Sequence, residues 1–148
     1  MFNRKHLIFL LLTIIWTGFI FYQSSLTGDM SGDLSDSIVY VIQGALSYLH
    51  IEADPLQLGA LIRKLAHFFE FFILGVLLYN TFASRGRKES AVKIKTQYGG
   101  LFIACCDELI QVYSQGRSSS ILDVFIDFSG VIFSLLVIIF IRGLRKKR

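Results

Sequence analysis

Proline is almost absent from this chain of 148 residues, where Pro55 is the only one. Helices can therefore run far without the residue that most reliably breaks them. Cysteine is scarce too. Cys105 and Cys106 stand side by side with no third partner, and neighbours pair only with strain, so both read as small apolar residues within a helix. Between residues 23 and 62 there are five acids and neither a Lys nor an Arg. Amphipathic alternation is also missing over long stretches. A soluble domain of this size alternates apolar and polar faces, whereas this sequence shows blocks that are apolar all round.

Four such blocks, at about 7–22, 65–82, 98–113 and 121–141, approach the ~17–25 residues a helix needs to cross ~30 Å of hydrocarbon. The first follows Arg4 and Lys5, as a signal peptide would. Its end, "WTGFIFYQSSLTG", is bulky where a cleavage site wants small residues, so it reads as a retained span. Of the 15 Lys and Arg, 12 lie before the first block, in 85–95 or in 142–148. Threading the chain four times puts those 12 on one side, and the positive-inside rule makes that side the cytoplasm, holding both termini. The net charge of +4 then reflects topology, and nucleic acid is excluded as a partner because the bases flank spans.

The sequence predicts an all-α membrane protein: a single domain, 1–148, of four transmembrane helices and an additional external amphipathic helix. "QSSLTGDMSGDLSDS" reads as an external loop, with Ser35 or Asp36 capping the amphipathic helix. In "SIVYVIQGALSYL", Ile38, Ile42, Ala45 and Leu49 recur on one face. Asp54, Pro55 and Gln57 have the spacing of a helix start, and that helix can continue into the second span. "SQGRSSS" is a short external turn in which Ser118 to Ser120 read as loop residues rather than a nucleophile. There is no internal repeat.

Charges interrupt the apolar blocks in a pattern. At ~100° per residue, Arg63, His67 and Glu70 of the second span share roughly 60° of arc. Asp107, Glu108 and Gln111 of the third fall within about 100°, and Asp123, Asp127, Gly130 and Ser134 of the fourth within about 60°. All three stripes sit near the external end. A carboxylate facing lipid costs at least ~2.5–3.5 kcal/mol near a helix centre, so the stripes are expected to face one another in a single pocket. Arg63, Lys64, His67 and Arg117 are the partners available to the five acids. Thr13, Trp16 and Thr17 of the first span either close the pocket or form a face for a second copy.

The segments "IRKLAHFFEFFILGVLL" and "CDELIQVYSQGRSSSILDVFIDFSGVIFS" resemble the VanZ-like family. The shared pattern runs R-K-x-x-H-F-x-E-[YF]-x-x-L-G, D-E-x-x-Q, G-R and D-x-x-x-D-x-x-G. It covers about 60–134, while the N-terminal half is similar only in layout. Phe71 stands where tyrosine is common, and "YSQGR" lacks a proline that often precedes the Gly-Arg. The resemblance makes Arg63, Lys64, His67, Glu70, Asp107, Glu108, Gln111, Arg117, Asp123, Asp127 and Gly130 the signature polar positions. It implies an integral membrane protein of Gram-positive-type bacteria, related to a founding member associated with low-level resistance to the lipid-tailed glycopeptide teicoplanin.

Three roles for the polar cluster stay open. As packing glue, it would fix the helices through interhelical bonds of about 0.6 kcal/mol each. As a binding site, Arg63, Lys64, Gln111 and Arg117 would hold the anionic head of an envelope lipid or lipid-linked precursor. As an enzyme, His67, Glu70, Asp107, Glu108, Asp123 and Asp127 would supply the acid and base of a hydrolase or transferase. No cofactor is called for. His67-x-x-Glu70 alone is weak evidence for a metal, and there is no nucleophile elbow or Walker loop. Proton-coupled transport suits four spans without a repeat poorly.

Overall fold

The computed structural model is built of helices: α1 (Arg4–Ser25), α2 (Gly28–Tyr48), α3 (Pro55–Ala83), α4 (Glu89–Tyr113) and α5 (Ile121–Lys146). It describes residues 3–48, 54–117 and 119–146, with the side chains of 28–36 and 146 left out. Ser118, one of the expected loop serines, lies outside the described residues.

Helix α3 shows why the elements form where they do. The Asp54 carboxylate accepts from Leu56 N at 3.0 Å and Pro55 occupies the first turn, where its missing N–H costs nothing. No breaker follows, so the helix runs 29 residues, straight into the second apolar block. At ~1.5 Å per residue it is roughly 43 Å long.

The long helices alternate in direction. His6 at the start of α1 bonds the end of α3, and Ser24 at the end of α1 meets Gln111 and Ser114 at the end of α4. Helices α3 and α5 run in step, through Lys64 with Asp123 and Tyr79 with Arg142. The pair α3 and α4 is innermost, each touching both α1 and α5, while α2 leans on α3. One end of this bundle gathers the basic flanks and the other the polar stripes.

Ile20, Phe71, Leu74, Leu78, Ala104 and Val131 form the main buried cluster, with Tyr79, Val92 and Leu135 a second one nearer the basic end. The helices also pack closely where small residues allow it. Gly130 is where a side chain would come closest to a neighbouring backbone: a Cβ there would run into the carbonyl of Phe68. Any side chain would push α5 off α3.

At the basic end the buried polar groups are bonded. His6 Nδ1 lies 3.0 Å from Thr81 O and 3.1 Å from Ser84 Oγ, and Arg85 Nε donates to His6 Nε2 at 3.0 Å. Since guanidinium cannot accept, Nε2 must be the bare nitrogen and Nδ1 the donor. Thr13 and Thr81 share a hydrogen bond of 2.9 Å, and Arg142 bonds the Tyr79 hydroxyl.

Helices α1 and α5 are long and apolar enough to cross a membrane. Helices α3 and α4 have the length, but as the inner pair they carry His67, Glu70, Asp107 and Glu108 in their apolar runs. The four expected spans fall on four long helices, of which two, among the described residues, are long and apolar enough to cross a membrane. Together with the family described below, this makes the chain compatible with a membrane protein.

Two local expectations fail. "QSSLTGDMSGDLSDS" is mostly helical: α1 continues to Ser25 and α2 begins at Gly28, so neither Ser35 nor Asp36 caps α2. Met30 and Leu34 extend the four-residue spacing backwards from Ile38, which carries the amphipathic pattern upstream. The packed face of α2 is also rotated. Val39 is buried with Ile42, Gln43 and Leu46 half-buried behind it, whereas Ile38 and Ala45 are exposed. Residues 38–42 are apolar without interruption, so spacing could not choose the face.

Candidate functional site

The three polar stripes converge on His67. Its Nδ1 lies 3.7 Å from Asp127 Oδ1, 3.9 Å from Asp107 Oδ2 and 4.0 Å from Glu70 Oε2. One imidazole nitrogen therefore faces carboxylates from α3, α4 and α5. None of these distances is a hydrogen bond, which needs ≤ ~3.2 Å. His67 Nδ1 and Asp127 Oδ2 are buried without any hydrogen-bond partner, although the Asp107 and Asp127 side chains are only 0% and 2% exposed. Gln111 Nε2 donates to Asp107 Oδ2 at 3.0 Å and fixes that carboxylate from one turn away. His67, Asp107 and Asp127 offer ligand atoms within 4.8 Å of one another, so they can hold a metal ion.

A cavity of ≈ 170 Å³ opens above this cluster. His67 and Asp127 form its floor side, and Arg63, Lys64, Gln111, Arg117 and Asp123 its polar walls. Ala60 and Ile126 contribute apolar wall, and Gly116 the turn. Gly116 holds φ = 75°, a conformation glycine adopts freely, and so reverses the chain from α4 towards α5. The volume is below the ~300 Å³ at which drug-sized pockets begin. It suits a head group, not a whole antibiotic or lipid tail.

The cations differ in how they are held. Lys64 Nζ pairs with Asp123 Oδ1 at 3.5 Å while half-exposed. Arg63 is exposed on the cavity wall. Arg117 is tied down: its Nη2 donates to Gln23 O at 2.9 Å, at the end of α1. Ser114 Oγ donates to the next carbonyl, Ser24 O, also at 2.9 Å. Carbonyls at a helix end lack intrahelical partners and favour a cation, so Arg117 both lines the cavity and closes α1. Burial pushes its guanidinium below the ordinary value, with Asp107 opposing the shift.

One expected site residue has another task. Glu108 is buried behind the cluster, and its Oε1 accepts from Ser120 N at the start of α5, where the helix dipole favours a carboxylate. It does not line the cavity. From α1, Trp16 Nε1 donates to the backbone carbonyl of Glu70 at 2.9 Å and packs on the buried apolar cluster, so it fixes α1 against α3 without lining the cavity. Thr13 bonds Thr81 at the other end, and Thr17 is half-buried. Ser24, Ser114 and Ile126 were missed in the sequence. The only sign of Ser24 was its place beside an apolar run, inside a stretch whose composition reads as loop.

The sequence model of the VanZ/LLP1 family matches residues 9–142, extending the similarity through the N-terminal half. No curated protein and no solved structure matches the chain. With nearly the whole sequence matched, the chain belongs to the VanZ/LLP1 family.

Proposed function

We propose that this protein is a multi-pass component of the bacterial plasma membrane whose outer-leaflet pocket binds the anionic head of an envelope lipid or lipid-linked precursor. The observation that carries this reading is the cavity itself: Arg63, Lys64 and Arg117 surround a space of head-group size beside Ala60 and Ile126. Arginine grips phosphate or carboxylate through two parallel bonds. Apolar residues stand exposed on every long helix, among them Ile15 at 67%, Phe69 at 57%, Phe102 at 69% and Phe140 at 66%, which suits contact with acyl chains. With both termini in the cytoplasm, the basic flanks face inward and the pocket outward. Retention of such a lipid is a physical route to tolerance of a lipid-tailed glycopeptide such as teicoplanin, which needs an anchor in the same leaflet.

Native mass spectrometry of the detergent-purified protein tests this. Wild type should retain a phosphate-headed lipid that Arg63→Ala with Lys64→Ala loses. Equal retention by both would end the proposal. Arg117 is a poorer probe, because it also closes α1.

A second reading, a hydrolase or transferase acting on a lipid-linked substrate, rests on one observation. His67 and Asp127 line the same cavity as the cations, so a proton acceptor would lie beside a bound head group. Under it, Asp127→Asn keeps lipid retention and abolishes turnover. Turnover undiminished in that variant would remove Asp127 from the chemistry.

A further inference from the structure

We propose that His67, Asp107 and Asp127, with Glu70 beside them, form a binding site for one divalent transition cation, of zinc or manganese type, on the floor of the cavity. The inference goes beyond lipid binding and stands without it.

The argument begins with what the cluster lacks. Three carboxylates point at one imidazole nitrogen from 3.7 to 4.0 Å, too far to share a proton and too near to ignore one another. Two of them are buried to 2% exposure or less. None of the nearby cations makes a hydrogen bond to these carboxylates: Lys64 pairs with Asp123, Arg117 donates to the end of α1 and acts on Asp107 only through space, and Arg63 stands exposed on the cavity wall. Asp127 Oδ2 and His67 Nδ1 therefore stay buried and unpaired, a costly arrangement unless something sits between them.

A cation fits that gap. Metal–ligand bonds of ~2.0–2.2 Å place two ligands of one tetrahedral ion about 3.4 Å apart. The His67 spacings of 3.7 to 4.0 Å need a contraction of a few tenths of an ångström, and the ligand atoms of the set, all within 4.8 Å of one another, close the remaining gap by side-chain rotation. One nitrogen with two or three carboxylate oxygens is a donor set of intermediate hardness, suited to Zn²⁺ or Mn²⁺. The cluster has the orienting partner that metal sites use, because Gln111 holds Asp107 by its amide at 3.0 Å. His67 and Asp127 border the cavity, so the side of the ion towards Arg63 and Lys64 faces the open space. An anionic head group there would meet the metal and both cations together.

The test uses the full-length protein in detergent, stripped with a chelator and then equilibrated separately with Zn²⁺, Mn²⁺ and Mg²⁺. Metal content is measured by elemental mass spectrometry and stability by thermal melting. Wild type should hold about one Zn²⁺ or Mn²⁺ per chain and melt higher when loaded. Asp127→Asn and His67→Gln should lose that ion, Gln111→Ala should bind it about tenfold more weakly, and Lys64→Ala should keep it. If one of the first two variants does not fold, the other, with the X-ray absorption spectrum of loaded wild type, decides through the presence of imidazole nitrogen in the coordination shell. Wild type that stays metal-free, or that takes only Mg²⁺, overturns the proposal. So does an ion retained by both Asp127→Asn and His67→Gln, since it would then be bound elsewhere.

Discussion

Two histidines at opposite ends of the bundle have opposite surroundings. His6 is buried with both ring nitrogens bonded, to Thr81 O, Ser84 Oγ and Arg85 Nε, at 3.0 to 3.1 Å. His67 faces three carboxylates at 3.7 to 4.0 Å, and its Nδ1 has no hydrogen bond. The first is what packing glue looks like: each polar group is satisfied inside the protein, and the two helices are fixed by it. The second is a set of groups held at a distance from one another by the packing of α3, α4 and α5. Polar residues that serve only to join helices have no reason to stop short of contact. Ties between elements exist at the polar end too, through Trp16, Ser114 and Arg117, so the difference is confined to the His67 cluster and argues that this cluster serves a ligand.

The seam between the two ends gives the largest expected effect. Gly130→Ala drives a methyl into Phe68 O, next to His67, and should destabilise the protein by about 3 kcal/mol. Because α5 must move off α3, Asp127 moves away from His67, so stability and ligand or metal capture should fall together. A melting temperature close to wild type would refute the close approach.

His6→Ala should separate the two ends. It strips a bond from the Thr81 carbonyl and the Arg85 guanidinium and leaves a void, at about 2 kcal/mol. The melting temperature should drop, while lipid or metal retention per folded molecule stays as in wild type. Loss of retention would mean that the ends are coupled. Asp127→Asn should do the reverse. In chelator it exchanges a buried carboxyl with an unpaired oxygen for an amide of the same shape, so the stability of the metal-free protein should change by no more than about 1 kcal/mol, while binding at the site is lost. A metal-free Asp127→Asn protein that melts well below wild type would make the cluster structural after all.

Part of this contrast was legible in the sequence. The helical period alone brings Arg63, His67 and Glu70 to one stripe, and places Asp107 with Gln111 and Asp123 with Asp127 on two others. The cost of a carboxylate in lipid then forces the stripes together. Glu108 shares the Asp107 stripe, yet its role depends on where α5 folds back, since its partner Ser120 lies 12 residues on. Arg117 reads as a ligand grip, but its bond to Gln23 spans 94 residues, and no local pattern reveals such a pairing. The α2 face was illegible for a different reason: with residues 38–42 all apolar, only contact with α3 selects Val39. The basic end gave no signal either, because His6 reads as part of a basic flank until Arg85 is placed beside it.

The smallest effect on stability, and the finest test of the comparison, belongs to Lys64. Its pairing with Asp123 spans 3.5 Å with the two side chains 48% and 29% exposed, so water screens it and its contribution should be within about 0.5 kcal/mol. Lys64→Ala should leave the melting temperature nearly unchanged. Its charge nevertheless stands on the cavity wall, where an arriving anion feels it before contact is made. Capture of an anionic lipid should therefore weaken several-fold in the variant at low salt. Near 1 M salt the Debye length falls to about 3 Å, and wild type should then approach the variant. A deficit that persists at high salt would mean that Lys64 touches the ligand directly. A melting temperature lowered as far as in His6→Ala would place Lys64 with the glue, and the two ends of the bundle would no longer differ in kind.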